Sequence, residues 1–218
     1  MFDAEALPGG LSVLGGLHPA GRALPGIAGD VATLVLIGWR GQAGWRHFAA
    51  EPEAGDGFPD PLDRWTARVV DGIARACGAR PLYPFAGPPW HPFQSWALAA
   101  GIGHKSPIGV LVDADYGPWI SFRAALAFAD VVDLPERRAS ASPCDSCSDR
   151  PCLSACPVGA YSADGFAVGA CRTHLRGAGT LCLEGGCLAR HACPVGRTHR
   201  QSPAQLAFHQ RAFVGGVG

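Results

Sequence analysis

Apolar residues recur along the first two thirds of the chain with two different periods. The densest run, Val31 to Trp39 (VATLVLIGW), is apolar on both faces. It predicts a buried strand centred on Thr33–Gly38 and is far too short to cross a bilayer. From Gly57 to Ala79 the period changes: Leu62, Trp65, Val69, Ile73 and Cys77 fall at helical spacing, with Pro61 near the start and Gly78 at the end. A helix is expected there, with Cys77 on its apolar stripe as a buried structural thiol. Arg80–Phe85 predicts a short strand, Ala86–Pro92 a proline-rich turn, and Phe93–Gly103 a second short helix ending in glycine. Ile108–Phe128 predicts two strands around a turn at Asp115–Pro118, and Ser202–Phe213 predicts a last helix with Ser202 as N-cap and Pro203 at its first position. The first thirty residues, rich in glycine and proline, predict nothing regular.

The pattern implies an α+β chain in three parts. A mixed α/β domain spans residues 1–135, a cysteine-rich domain follows over 136–200 and opens with the polar linker Glu136–Pro143, and residues 201–218 form a tail. With 218 residues, 48% of them apolar, the chain can bury a substantial core. Its 18 basic and 18 acidic residues cancel, so no global field favours nucleic acid or an anionic membrane. Asp3 and Glu5 stand where a signal peptide would be basic, and Pro8, Gly9 and Gly10 break its apolar run. A cytoplasmic location is expected, where thiols stay reduced and disulfides are disfavoured.

Eight of the nine cysteines fall between Cys144 and Cys193. Cys152–Gly159 (CLSACPVG) is echoed by Cys187–Gly196 (CLARHACPVG), each ending in Cys-Pro-Val-Gly, and a repeated ligand set suggests two metal centres. Zinc is the rival to iron, since four-cysteine zinc sites also begin with C-x2-C. Only Cys144 and Cys147 form such a knuckle, whereas the Cys-x3-Cys-Pro ending is the bacterial ferredoxin pattern. In that pattern three thiolates hold one cubane and the fourth, before proline, reaches the other. The expectation is two [4Fe–4S] clusters: cluster A on Cys144, Cys147, Cys152 and Cys193, cluster B on Cys156, Cys171, Cys182 and Cys187. His174, His191 and His199 are expected at the surface or behind the thiols. Arg150, Arg172, Arg176, Arg190 and Arg197 would raise a cluster's potential, dock an acidic electron donor or stand in solvent.

Ahead of the cysteines, Ala100–Phe122 carries Ala-Gly-x-Gly at Ala100–Gly103, an apolar strand around Leu111 and Gly-x-Trp at Gly117–Trp119. With the isolated Cys171, these features resemble epoxyqueuosine reductases, cobalamin-dependent iron–sulfur enzymes, over roughly residues 96–196. The resemblance implies a corrinoid-reductase-like α/β domain feeding a ferredoxin-like 2[4Fe–4S] module, with the same ligand sets and cobalamin as a further cofactor. The family's carboxylic proton donor has no counterpart, since no Asp or Glu occurs between Asp71 and Asp113; His91 and Tyr116 are the remaining candidates. Nor is a counterpart expected for the helical repeats with which longer members hold transfer RNA. The first expectation is an electron-transfer protein, a ferredoxin-like carrier or reductase component that docks a redox partner protein. The second is a cobalamin-dependent reductase or corrinoid-reducing protein acting on another substrate, and the third a structural or sensing role for the clusters.

Overall fold

The computed structural model of the chain describes residues 7–20, 24–27, 29–136, 140–162, 165–177 and 180–215. Asp3 and Glu5, and Arg137, Arg138 and Ala139 of the expected linker, lie outside the described residues. The architecture is mixed α+β, and the chain divides into two compact units: residues 1–102 with 121–139, and residues 103–120 with 140–218. Segment 103–120, assigned by sequence to the first domain, therefore clusters with the cysteine-rich part. So does the tail.

In the first unit, β1 (Ser12–Leu17) pairs antiparallel with β2 (Thr33–Arg40), from Ser12 opposite Gly38 to Leu17 opposite Leu34. Helices α1 (Ala43–Ala49) and α2 (Pro61–Cys77), strand β3 (Arg80–Leu82) and helix α3 (Phe93–Ala99) follow. The chain then builds β4 (His104–Lys105) and β5 (Leu111–Val112) in the second unit before β6 (Ile120–Phe128) completes a four-stranded sheet, order β1-β2-β6-β3. Burial of β2 from Thr33 to Trp39 agrees with its two-faced apolar run.

Ile108–Phe128 holds two strands around a turn, as expected, but the strands do not pair with each other: β5 pairs with β4, and β6 joins the large sheet. The turn between them closes at Asp113–Gly117 through reciprocal backbone bonds of 2.9 and 3.0 Å, and the Asp113 carboxylate accepts the N–H groups of Asp115 and Tyr116. Pro118 has no N–H with which to extend that pairing. On α2 the buried side chains are Leu62, Trp65, Thr66, Val70, Ile73 and Ala74, while Val69 and Cys77 are half-buried. Each four-residue step overshoots a 3.6-residue turn by about 40°. The series 65, 69, 73, 77 thus rotates away from the sheet, and the Cys77 thiol donates to the Ala74 carbonyl at 3.6 Å.

Trp39, Trp65 and Phe48 pack edge-to-face in the core of this unit, with ring centroids 6.1 and 5.8 Å apart around Trp65. Gly44 on α1 makes room for them, because a Cβ there would lie 2.1 Å from the Trp39 ring. Gly44→Ala is expected to lower stability by about 1–3 kcal/mol through overpacking. A lower urea midpoint at unchanged slope would register it; an unchanged midpoint would mean the indole shifts freely.

In the second unit, α4 (Pro151–Ser154) is followed by the hairpin β7 (Tyr161–Ser162) and β8 (Gly165–Phe166). Helices α5 (Val168–Arg176), α6 (Thr180–Gly185), α7 (Leu188–His191) and α8 (Pro203–Gly215) complete it. Ser202 Oγ accepts the Gln205 N–H at 3.2 Å, the cap bond expected for α8. That helix packs on α5 and α6, and α4 packs on α7. Among the described residues no helix is long and apolar enough to cross a membrane.

Candidate metal centres

All nine cysteines are free thiols. Cys144, Cys147, Cys152 and Cys193 line a cavity of about 30 Å³, walled by Ile108, Val112 and several prolines. Cys156, Cys171, Cys182 and Cys187 line a second, of about 20 Å³, with Leu188 and Ala189. The eight thiols singled out in the sequence are thus brought together as two fours, and each four draws on both halves of the repeat. Short helices carry the chain between them: α4 leads from Cys152 of the first set to Cys156 of the second, and α7 leads from Cys187 back towards Cys193.

Electrostatics report the same grouping. Burial pushes the Cys144 thiol up, and its neighbours Cys193, Cys152 and Cys147 add to the effect. Cys152 is raised by burial and by Cys193 and Cys147. In the second set burial is again the largest cause. It lifts Cys171 to about 11 with help from Cys187, Cys156 and Cys182, and it raises Cys182 together with Cys187 and Cys156. Four thiolates around one apolar cavity repel one another unless a cation joins them. The metal-free protein should therefore lose stability as pH rises from the ordinary thiol range towards 11, because its folded thiols hold protons that the unfolded chain releases. Urea midpoints of metal-free protein at pH 7 and pH 10 test this, and a higher midpoint at pH 10 would contradict it.

The surroundings of the second set are polar at chosen points. The Ala160 N–H donates to Cys156 Sγ at 3.3 Å, and the Tyr161 hydroxyl lies 3.5 Å from Cys187 Sγ. Helix α8 braces this set: Gln210 Nε2 donates to the Cys182 carbonyl at 3.0 Å. Arg172 and Arg176 donate to the carbonyls of Phe213 and Val214 at its C-terminal end. These two arginines hold a helix end. Arg190 donates to the Pro118 carbonyl through Nε, at 3.0 Å, and through Nη2, and lies 4.7 Å over the Trp119 ring. Burial lowers its guanidinium to about 10, so it stays charged at neutral pH close to Cys187 and Tyr161. Arg150 and Arg197 are exposed.

The histidines have separate places. His174 lines the second cavity, His191 bonds the Gly185 carbonyl at 2.9 Å against Trp119, and His199 packs on Tyr116 at 4.2 Å. His91 belongs to the first unit, where it bonds the Gly26 carbonyl at 2.9 Å and packs on Trp96.

The loop closing the first set is fixed by two glycines. Gly117 and Gly196 both have left-handed backbone, φ 57° and 68°. A Cβ on Gly117 would lie 2.2 Å from the Val195 carbonyl oxygen, and one on Gly196 2.2 Å from that of Tyr116. The Gly-x-Trp and Cys-Pro-Val-Gly motifs thus meet backbone to backbone. Sequence reading noted both motifs but not their contact, and it missed Tyr161 beside Cys187 altogether.

Among the described residues no three His, Cys, Asp or Glu side chains converge closely enough to hold a single metal ion. No family model matches the chain, and neither a curated protein nor a solved structure matches it.

Proposed function

We propose that the cysteine-rich unit is a ferredoxin-like module that binds two [4Fe–4S] clusters and passes single electrons to a redox partner protein. The observation that carries this reading is the division of eight thiols into two fours, each taking three from one half of the repeat and one from the other. A mononuclear zinc site needs four donors about 2.3 Å from one point. The Cys-x3-Cys-Pro ending, which hands a fourth thiol to the other set, suits a polynuclear cluster better, since in the ferredoxin pattern each thiolate binds its own iron. Soft sulfur donors in apolar walls also match iron–sulfur chemistry.

Cys144, Cys147, Cys152 and Cys193 would hold one cluster, and Cys156, Cys171, Cys182 and Cys187 the other. Bound there, each cluster supplies a one-electron couple. The chain's own part is to keep water from the sulfurs with Ile108, Val112 and Leu188, and to direct hydrogen bonds at them from the Ala160 amide and the Tyr161 hydroxyl. Both donors favour the more negative reduced state, as does the fixed charge of Arg190.

Reductive titration of the anaerobically reconstituted protein tests the function. About two electrons per chain should be taken up and returned to a one-electron acceptor. Full metal loading with no electron uptake would overturn the proposal and leave a structural metal module.

A further inference from the structure

Beside the two thiol cavities, the cysteine-rich unit carries an open groove of about 500 Å³. Ser106, Ile108, Arg150, Leu153, Tyr161 and Phe166 line it. That volume falls in the range of small-molecule sites. Its position is unusual: Ser106, Ile108 and Arg150 also line the first thiol cavity, and Tyr161 also lines the second. A molecule in the groove would thus share walls with both sets of thiols.

The lining has two chemical parts. One wall is aromatic. Tyr161 and Phe166 stack at 4.8 Å with their planes 14° apart, Phe213 extends the column at 6.1 Å, and Phe166 remains 37% exposed. Ile108 and Leu153 continue this apolar surface. The other part is Arg150, whose guanidinium has no ion pair or hydrogen bond among the described residues. Its backbone is left-handed, φ 40°, in the position just before α4. A non-glycine residue there costs roughly 1–2 kcal/mol, a strain that persists where the surroundings fix it. Asp149, the nearest acid in sequence, is engaged by the Ser148 hydroxyl at 3.1 Å.

We propose that this groove binds a small planar aromatic molecule carrying a phosphate or carboxylate, a redox-active ligand of the flavin mononucleotide class. The ring would lie against the Tyr161–Phe166 wall and the anion on Arg150. Rings meet aromatic side chains favourably edge-to-face as well as stacked, and a guanidinium is the side chain best shaped to take an oxyanion with two hydrogen bonds. The inference deepens the electron-transfer reading and rests on it for the ligand's redox character, but not for its binding.

Anaerobic calorimetry of the reconstituted protein with flavin mononucleotide, riboflavin and inorganic phosphate is the test. The heat reports binding alone, and repeating the titration on metal-free chain separates failure of the groove from failure to load iron. Flavin mononucleotide should bind saturably and about tenfold more tightly than riboflavin, which lacks the phosphate. Arg150→Gln should remove that difference while leaving riboflavin unchanged, and Phe166→Ala should weaken both flavins, with circular dichroism confirming that each variant folds. The proposal is overturned by absent or non-saturable binding, by equal affinity for the two flavins, by an Arg150→Gln variant that binds like the parent, or by phosphate alone binding as tightly as the flavin.

Discussion

Cys193→Ser is expected to abolish the same centre as Cys144→Ser, although 48 residues separate the two positions in the sequence, and to leave the other centre intact. Both thiols line the cavity shared with Cys147 and Cys152, whereas Cys182 and Cys187, close to Cys193 in sequence, line the other. About half of the iron and sulfide should remain in either single variant, and the double variant should keep that same half. Combining Cys144→Ser with Cys156→Ser, twelve positions apart, should instead remove both centres. Iron and sulfide assays on the purified variants decide the matter. If Cys193→Ser and Cys144→Ser together removed both centres, each half of the repeat would be keeping its own metal and the crossing arrangement would be wrong.

The second large effect falls on glycines that the repeat makes look equivalent. Gly159 and Gly196 each end a Cys-Pro-Val-Gly run and each has a left-handed backbone, φ 57° and 68°. A Cβ on Gly159 meets nothing within 4 Å, but one on Gly196 would lie 2.2 Å from the Tyr116 carbonyl oxygen. Gly159→Ala should cost only the conformational penalty, about 1–2 kcal/mol. Gly196→Ala adds a clash of backbone on backbone and should cost about 2–5 kcal/mol in total, with loss of the centre built on Cys193. Denaturation midpoints and iron content of the two variants provide the comparison. Equal losses would mean that the loop of Pro194–Gly196 can move away from the Asp113–Gly117 turn without consequence.

The same contact explains what could and could not be read in advance. The Val31–Trp39 strand, the α2 and α8 helices and the grouping of thiols each leave a local mark: an apolar run, a helical stripe with its caps, a repeated motif at ligand spacing. Strand β1 leaves little, because Gly15 and Gly16 interrupt its alternation. The β4–β5 hairpin leaves none, since a pair of two-residue strands has no period to detect. That residues 103–120 cluster with the cysteine-rich unit depends on Gly117 meeting Gly196, a close approach between segments distant in sequence. The groove was illegible for the same reason, as the hairpin turn, α4 and the β7–β8 pair each contribute to it. Even the clear stripe of α2 misplaced Val69 and Cys77, because recurrence every four residues drifts around a helix.

The central claim is that two clusters, rather than two zinc ions, sit among the eight thiols. Iron, acid-labile sulfide and zinc measured on the same anaerobically purified sample test it most directly. The account predicts about eight iron and eight sulfide per chain with no stoichiometric zinc. About two zinc per chain without sulfide would contradict it.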